Sequence, residues 1–284
     1  MKSLSDIISN NDWVGLGIAG NQAEHLDQAG EADDFKDVVA LENAPKGIFP
    51  WFIPNHDSFL STNPLSHTEL KLKGNDPLQP EPEIALIVEL EYAEDACLVK
   101  NLDVLGFSAF NDCSRRIAAD KISHKKNWGA ASQGVADALV SIDDFTTPGG
   151  SIENYRIVCY LKRDGRLLQY GCDTAVSDYC YFNQQLVDWI VKQINTQQDH
   201  GPLEPIADML ASTTPKYAVI GIGATCYTDF GNSDQRFLQD ADDVFVAVYN
   251  AKKHDLSSVE KHLAGEPHLV KDDSLIVLQQ RAHT

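Results

Sequence analysis

The spacing of apolar and polar residues changes several times along this chain, and each change predicts an element. Residues 14–19 (VGLGIA) form a short apolar run and are followed by the polar, amphipathic stretch NQAEHLDQAGE. That pattern predicts a strand leading into a helix whose start carries Asn21. Residues 43–66 are rich in Pro, Asn and Ser and predict an irregular loop of functional length. From residue 84 the character becomes β. IALIVELEY alternates weakly, VLGFSAF reads as a strand, and YRIVCYLKRDGRLLQYG reads as a hairpin. Asp164-Gly165 lies between its two alternating runs and supplies the positive φ of a type I′ turn. Within 179–195, Phe182, Leu186, Trp189, Ile190 and Ile194 recur at helical spacing and predict one face buried on a sheet. A helix around 203–211, strands at YAVIGIGA and DVFVAVYN, and a short charged helix over 256–264 complete the pattern. Many strands and few helices, without regular β-α alternation, predict an α+β fold that is predominantly β. No linker or repeat divides the chain, so residues 1–284 are expected to form a single domain.

Composition narrows the function classes. With 23 basic and 42 acidic residues the net charge is 23 − 42 = −19, and the isoelectric point is near 4.7. The longest basic run is Lys125-Lys126, so nucleic acid and anionic membrane surfaces are excluded as partners. An anionic substrate would need a local cation. No stretch matches a membrane span, and MKSLSDIISNNDW lacks the apolar core of a secretory signal. Cys97, Cys113, Cys159, Cys172, Cys180 and Cys226 contain no C-x-x-C pair, which argues against structural zinc. In a chain of this length they read as reduced thiols of a cytoplasmic protein.

The chemistry concentrates at 79–116. QPEPEIALIVEL places Glu81 and Glu83 two apart at the head of a strand, where alternate residues share a face. GFSAFNDCSRR places Asp112 at the end of the next apolar run, 112 − 83 = 29 residues later. Three converging carboxylates repel each other unless a cation neutralises them, and a hard divalent ion with oxygen ligands does so. The spacing alone equally describes a solvated strand face in an acidic protein.

EPEIALIVELEY, the 29-residue gap and NDCSRR together resemble the fumarylacetoacetate hydrolase family, whose motifs are Glu-x-Glu before an apolar strand and Asn-Asp-x-Ser/Thr-x-Arg. The resemblance puts Glu81, Glu83 and Asp112 on the metal ligands, and Asn111, Ser114 and Arg116 on the rest of the second motif. GIAGNQAEH is similar to the family's Gly-x-Asn-Tyr-x-x-His and puts Asn21 and His25 on its Asn and His. LKRDGRLLQYG resembles the family hairpin with its following Gln, here Gln169. The resemblance spans about residues 14–250, leaving 251–284 as a C-terminal extension. It implies a fumarylacetoacetase-like β-roll, often dimeric, that binds Mg2+, with Mn2+ or Ca2+ as alternatives. The cation would chelate adjacent oxygens of a 2-oxo or 2,4-dioxo acid and polarise its carbonyl.

Three departures bear on the chemistry. The family's base is a His paired with a Glu three residues on, whereas this chain has His25 and Gln28. Glu24 or Glu31 would have to stand in for that charge. The family's Lys beyond the Asp motif has no aligned counterpart: KKNWGAASQGV offers Ser132 or Gln133, and Lys121, Lys125 and Lys126 read as a solvated basic cluster. The Thr-Gly-Thr-Pro loop becomes Gly221 to Thr225, with glycines that let backbone amides approach a carboxylate. Arg116 is a candidate for binding a substrate carboxylate, with Asn21, Gln169 and Thr225 as further substrate contacts. Cys113 and Cys226 read as packing residues. GIFPWFIP, with Phe49, Trp51 and Phe52, predicts either a homodimer contact or a lid over the pocket.

The implied function is metal-dependent hydrolytic cleavage of a carbon–carbon bond in an acylpyruvate-type substrate. The missing Glu and Lys leave decarboxylation, keto–enol isomerisation or metal binding without chemistry as alternatives.

Overall fold

Two alternating sets of side chains along residues 82–92 organise the fold. The structure, a computed structural model, describes residues 2–8, 12–22, 28–30, 32–38, 40–41, 43–94, 98–266 and 272–284. Among them, strands of five or more residues are β1 Trp13–Ala19, β2 Gly47–Phe52, β3 Pro82–Tyr92 and β4 Val99–Asn111. They continue with β5 Tyr155–Arg163, β6 Arg166–Ala175, β7 Tyr217–Gly221, β8 Asp243–Asn250 and β9 Leu275–His283. The larger sheet runs Lys2–Ser3, Ala138–Ser141, β4, β3, β7, β1, β2, and the second runs β6, β5, β8, β9, Glu69–Lys71. The fold is predominantly β, with few helices packed on it.

On β3, Ile84, Leu86 and Val88 point into a core shared with Ile157, Val246 and Ile276 of the second sheet. Ala85 and Ile87 point the other way, into a cluster with Phe49, Trp51, Phe110 and Val219. Both faces are therefore buried, which explains why the alternation in the sequence is weak. Glu81 and Glu83 have the parity of the second face. The hairpin of β5 and β6 forms as expected, with Asp164 at φ 50° and Gly165 at φ 75°. The helix Asn183–Thr196 buries Leu186, Trp189, Ile190 and Ile194, and Ile206–Leu210 and Leu256–Leu263 match the two shorter helices. No described helix is long and apolar enough to cross a membrane.

The expectations for residues 43–66 need correction, and the role of the C-terminal stretch, left open by the sequence, is visible. Residues 47–52 are a buried strand, not part of a loop: β2 pairs antiparallel with β1. Pro50, which read as a loop signal, is tolerated because β2 is the edge of the sheet. The Trp51 indole N–H donates to Leu16 O at 2.8 Å, and its ring stacks on Phe110 at 5.6 Å between centroids. Phe49, Trp51 and Phe52 are covered by the chain itself, so they form neither a bare dimer patch nor a lid. The stretch after residue 250 also contributes a strand, β9, which lies between β8 and Glu69–Lys71. Its Gln280, fully buried, accepts from the Asn111 amide at 2.9 Å and so ties the C-terminal strand to the end of β4.

Gly15 has no side chain because a Cβ there would sit 2.2 Å from the Trp51 ring. Trp51→Ala would leave that cavity empty and is expected to cost about 3–5 kcal/mol in urea unfolding.

Candidate metal centre

Strand register brings the three carboxylates together. Pro82 pairs with Asn111 and Glu83 with Phe110, and one step further the Asp112 amide donates to Glu81 O at 2.9 Å. Asp112 therefore lies opposite Glu81, and Glu83 lies two residues along on the same face. One ligand atom from each of the three side chains lies within 4.8 Å of the others, and all three residues are buried. Glu83 Oε2 accepts the Gly223 N–H at 3.0 Å. Two glycines permit this approach: a Cβ on Gly221 would lie 2.5 Å from Glu83 Oε2, and Gly223 has φ +121°. The glycine loop thus cradles a carboxylate of the chain itself.

Lys126 overturns the reading of the lysines as solvated. Its ammonium is 2.8 Å from Glu81 Oε2, 2.7 Å from Asp112 Oδ2 and 2.9 Å from Asp112 O, and it lies over the Phe49 ring. The short helix Ser123–Lys126 delivers it. Asn127 fixes the end of that helix by donating to Trp51 O and Thr62 O, and the Gln133 amide donates to Lys126 O. Lys125 pairs with Asp34, and Lys121 with Asp199 and two carbonyls. At the head of the helix, the Ser123 hydroxyl donates to buried Glu204. Burial pushes Glu204 up to about 7, and the Ser123 hydrogen bond opposes the shift.

The predicted site residues separate into groups. Glu81, Glu83, Asp112 and Asn21 line one cavity of about 20 Å³ together with Lys126 and Phe49. That is space on the scale of a single water. Asn21 spends its amide on the chain: Nδ2 donates to Tyr181 O and Ile222 O, and Oδ1 accepts from Tyr181 N. Arg116 approaches Glu81 at 2.7 Å and is held there by Gln79 Oε1 and Tyr227 Oη. It does not line the cavity. Thr225 packs on Pro82 O, and the Gln169 amide donates to Gly171 O, also away from the cavity. Gln28 Oε1 accepts from Tyr227 N at 2.8 Å. His25, Glu24 and Glu31 lie outside the described residues. The site role of Lys126 and the contacts of Gln79 and Tyr227 to Arg116 were missed by sequence reading. No spacing rule marks Lys126, because it reaches the strands from a separate one-turn helix.

Three carboxylates against one ammonium and one guanidinium leave 2 − 3 = −1 in a buried space. Glu83 is pushed well above the ordinary carboxylate range, first by burial and then by the charge of Asp112, with Lys126 opposing. A hard divalent cation fits this all-oxygen donor set, and its charge relieves the repulsion.

The model of DUF5718, a family of unknown function, matches residues 31–281. The chain belongs to that family. No curated protein matches this DUF5718 chain. Among solved structures, Cg1458 with an inhibitor is similar at 15% identity and a TM-score of 0.54, covering 95% of this chain and 76% of that one. A 2-keto-3-deoxy-D-arabinonate dehydratase complexed with magnesium and 2,5-dioxopentanoate gives 14% identity and 0.52, covering 95% and 73%. The 5-carboxymethyl-2-hydroxymuconate delta-isomerase of Mycobacterium smegmatis gives 14% and 0.50, covering 95% and 78%. These neighbours are members of the fumarylacetoacetate hydrolase family, and the DUF5718 chain shares their fold.

Magnesium at a hundred times its dissociation constant is expected to stabilise the DUF5718 protein by about 2.7 kcal/mol, read as a rise in melting temperature. Glu83→Gln should abolish that rise. Lys126→Met removes the ammonium between Glu81 and Asp112, leaving Arg116 as the remaining cation on Glu81, and is expected to cost about 3–5 kcal/mol in metal-free buffer. Glu204 has a folded-state pKa above its unfolded value, so its stabilising contribution is complete below about pH 4.5 and is lost as pH rises through about 7. Glu204→Gln should therefore be more stable than wild type at pH 8 by about 1–3 kcal/mol, and denaturant melts at pH 5 and pH 8 check the difference.

Proposed function

We propose that this DUF5718 protein is a divalent-cation-dependent enzyme acting on a small 2-oxo or 2,4-dioxo acid, with hydrolytic cleavage of a carbon–carbon bond in an acylpyruvate-type substrate as the leading reaction. The observation that supports this most is the buried Glu81–Glu83–Asp112 cluster with the Lys126 ammonium inside it. Magnesium, held by those three carboxylates, would supply Lewis-acid polarisation of the substrate carbonyl. The dehydratase neighbour solved with magnesium supports the choice of ion.

The chain's own residues divide the remaining work. Lys126 is a fixed positive charge in a dry site, placed to offset negative charge that develops on a substrate oxygen. Arg116 acts through Glu81, fixing its orientation from behind, and does not itself reach the cavity. Asn21 pins the turn after β1 to Ile222 and Tyr181, which keeps Gly223 aimed at Glu83. The proposal assigns His25 the role of base. An oxo acid is larger than the present cavity, so binding requires its lining to part. A homodimer in the cytoplasm is part of the same proposal. It rests on the family resemblance and on the five described cysteines being unbridged.

A lyase or isomerase reaction that needs no attacking water is the second reading. Gln28 favours it, since a neutral amide already accepting from Tyr227 cannot balance an imidazolium at His25. Metal binding without chemistry loses support, because Lys126 places a cation beside the carboxylates.

Assays on acylpyruvates and on oxaloacetate, with and without magnesium, test the proposal and separate its two readings. Turnover should require the ion, and Lys126→Gln should lower kcat by about 100- to 1,000-fold. Turnover that survives a chelator unchanged would overturn it. Magnesium-dependent stabilisation with no product from any 2-oxo acid would leave binding without catalysis.

A further inference from the structure

Cys172 and Cys226 lie 54 positions apart in the sequence and face each other in the fold. The segment after β7 forms a short antiparallel bridge with β6, in which Gly171 pairs with Tyr227. Thr228 N donates to Tyr170 O at 3.0 Å and Cys172 N donates to Cys226 O at 2.9 Å, which fixes the register on both sides of that pair. Cys172 is therefore directly opposite Cys226. Directly opposed residues on antiparallel segments have Cα atoms about 4.5–5.5 Å apart. That separation lies inside the range a disulfide spans. Both residues are half-buried, and neither sulfur is bridged. By contrast, Cys113 and Cys159 are fully buried.

We propose that Cys172 and Cys226 are a redox-modification site, a dithiol that a peroxide closes to a disulfide between β6 and the segment after β7. Burial and then the neighbouring Cys226 side chain push the Cys172 thiol up to about 12, so Cys172 is assigned the second, resolving step. Cys226 sulfur takes one oxygen of hydrogen peroxide as the O–O bond breaks, giving a sulfenic acid and one water. Cys172 sulfur then attacks the sulfenic sulfur. The S–S bond forms, the S–O bond breaks, and a second water leaves with the thiol proton. Two thiols and one peroxide thus give one disulfide and two waters, with the two electrons passing from sulfur to the peroxide. A neutral oxidant suits the position, because Asp173 and Asp229 place negative charge near Cys172 and would repel an anionic disulfide.

The location gives the cross-link a structural consequence. Cys226 precedes Tyr227, which accepts from Arg116 and donates to Pro80 O, and it follows the loop whose Gly223 holds Glu83. Closing the disulfide fastens this segment to β6 at one point, two residues after Ala224 of the cavity lining.

The test is mass spectrometry of the intact protein after stoichiometric hydrogen peroxide, followed by peptide mapping without reduction. The expected product has lost two hydrogens, contains a peptide joining Cys172 to Cys226, and returns to the starting mass with dithiothreitol. Cys226→Ser and Cys172→Ser should both lack the linked peptide, and Cys172→Ser should accumulate sulfenic acid at Cys226. A second probe does not depend on oxidation or on folding of a variant. One equivalent of a monosubstituted trivalent arsenical should bridge the two sulfurs of the wild-type protein and block alkylation of both. Oxygen added at either cysteine with no cross-link, a cross-link to another cysteine, or independent alkylation in the presence of the arsenical would overturn the proposal. None of these readouts depends on the cation site, so they stand or fall separately from the function proposed above.

Discussion

The structure depends on holding three carboxylates in one buried place. Glu81, Glu83 and Asp112 cannot share that space as bare anions, because burial removes the water that would screen their repulsion. Lys126 enters between Glu81 and Asp112, and Arg116 closes on the far side of Glu81. Such clusters seldom stabilise a fold better than apolar residues of the same volume would. The neighbouring positions on the same face, Ala85 and Ile87, show the kind of residue that serves packing alone. The charged cluster is therefore better explained by chemistry than by stability.

The surrounding scaffold consists of devices that keep these groups in place. The β3–β4 register sets Asp112 opposite Glu81, and the missing side chains of Gly221 and Gly223 let β7 and the following loop close on Glu83. The one-turn helix with Lys126 is tied at its C-terminal end by Asn127 and Gln133 and at its head by Ser123 and Glu204. β9 reaches the same region through Gln280 and Asn111, whose amide oxygen accepts from Glu81 N. Asn111, Asn127, Gln280 and the Gln133 amide N–H are each committed to fixing a neighbour, which is what a preorganised electrostatic site requires.

The parts of this arrangement carried by local periodicity were legible in the sequence. Weak alternation marked β3 and Asp164-Gly165 marked the hairpin, whereas the spacing of Glu81, Glu83 and Asp112 became a triad only through the resemblance to the fumarylacetoacetate hydrolase motifs. Pro50 misled because its missing N–H signals a loop in isolation, although a sheet edge accommodates it equally well. β9 passed unnoticed because its pattern fades into the polar Gln279-Gln280-Arg281. Lys126 was read as solvated because nothing local distinguishes a lysine that is buried by distant strands from one on a surface turn. Asn21 and Arg116 were found, but as substrate contacts; in the structure their polar groups are engaged by the chain itself.

A crystal structure of the protein grown with manganese, phased to reveal the anomalous scatterer, addresses the central claim most directly. The expected result is one strong peak in coordination contact with oxygens of Glu81, Glu83 and Asp112, with Lys126 beside it. A map with no peak among the three carboxylates at saturating manganese, or with the ion bound only at surface acids, would contradict the account.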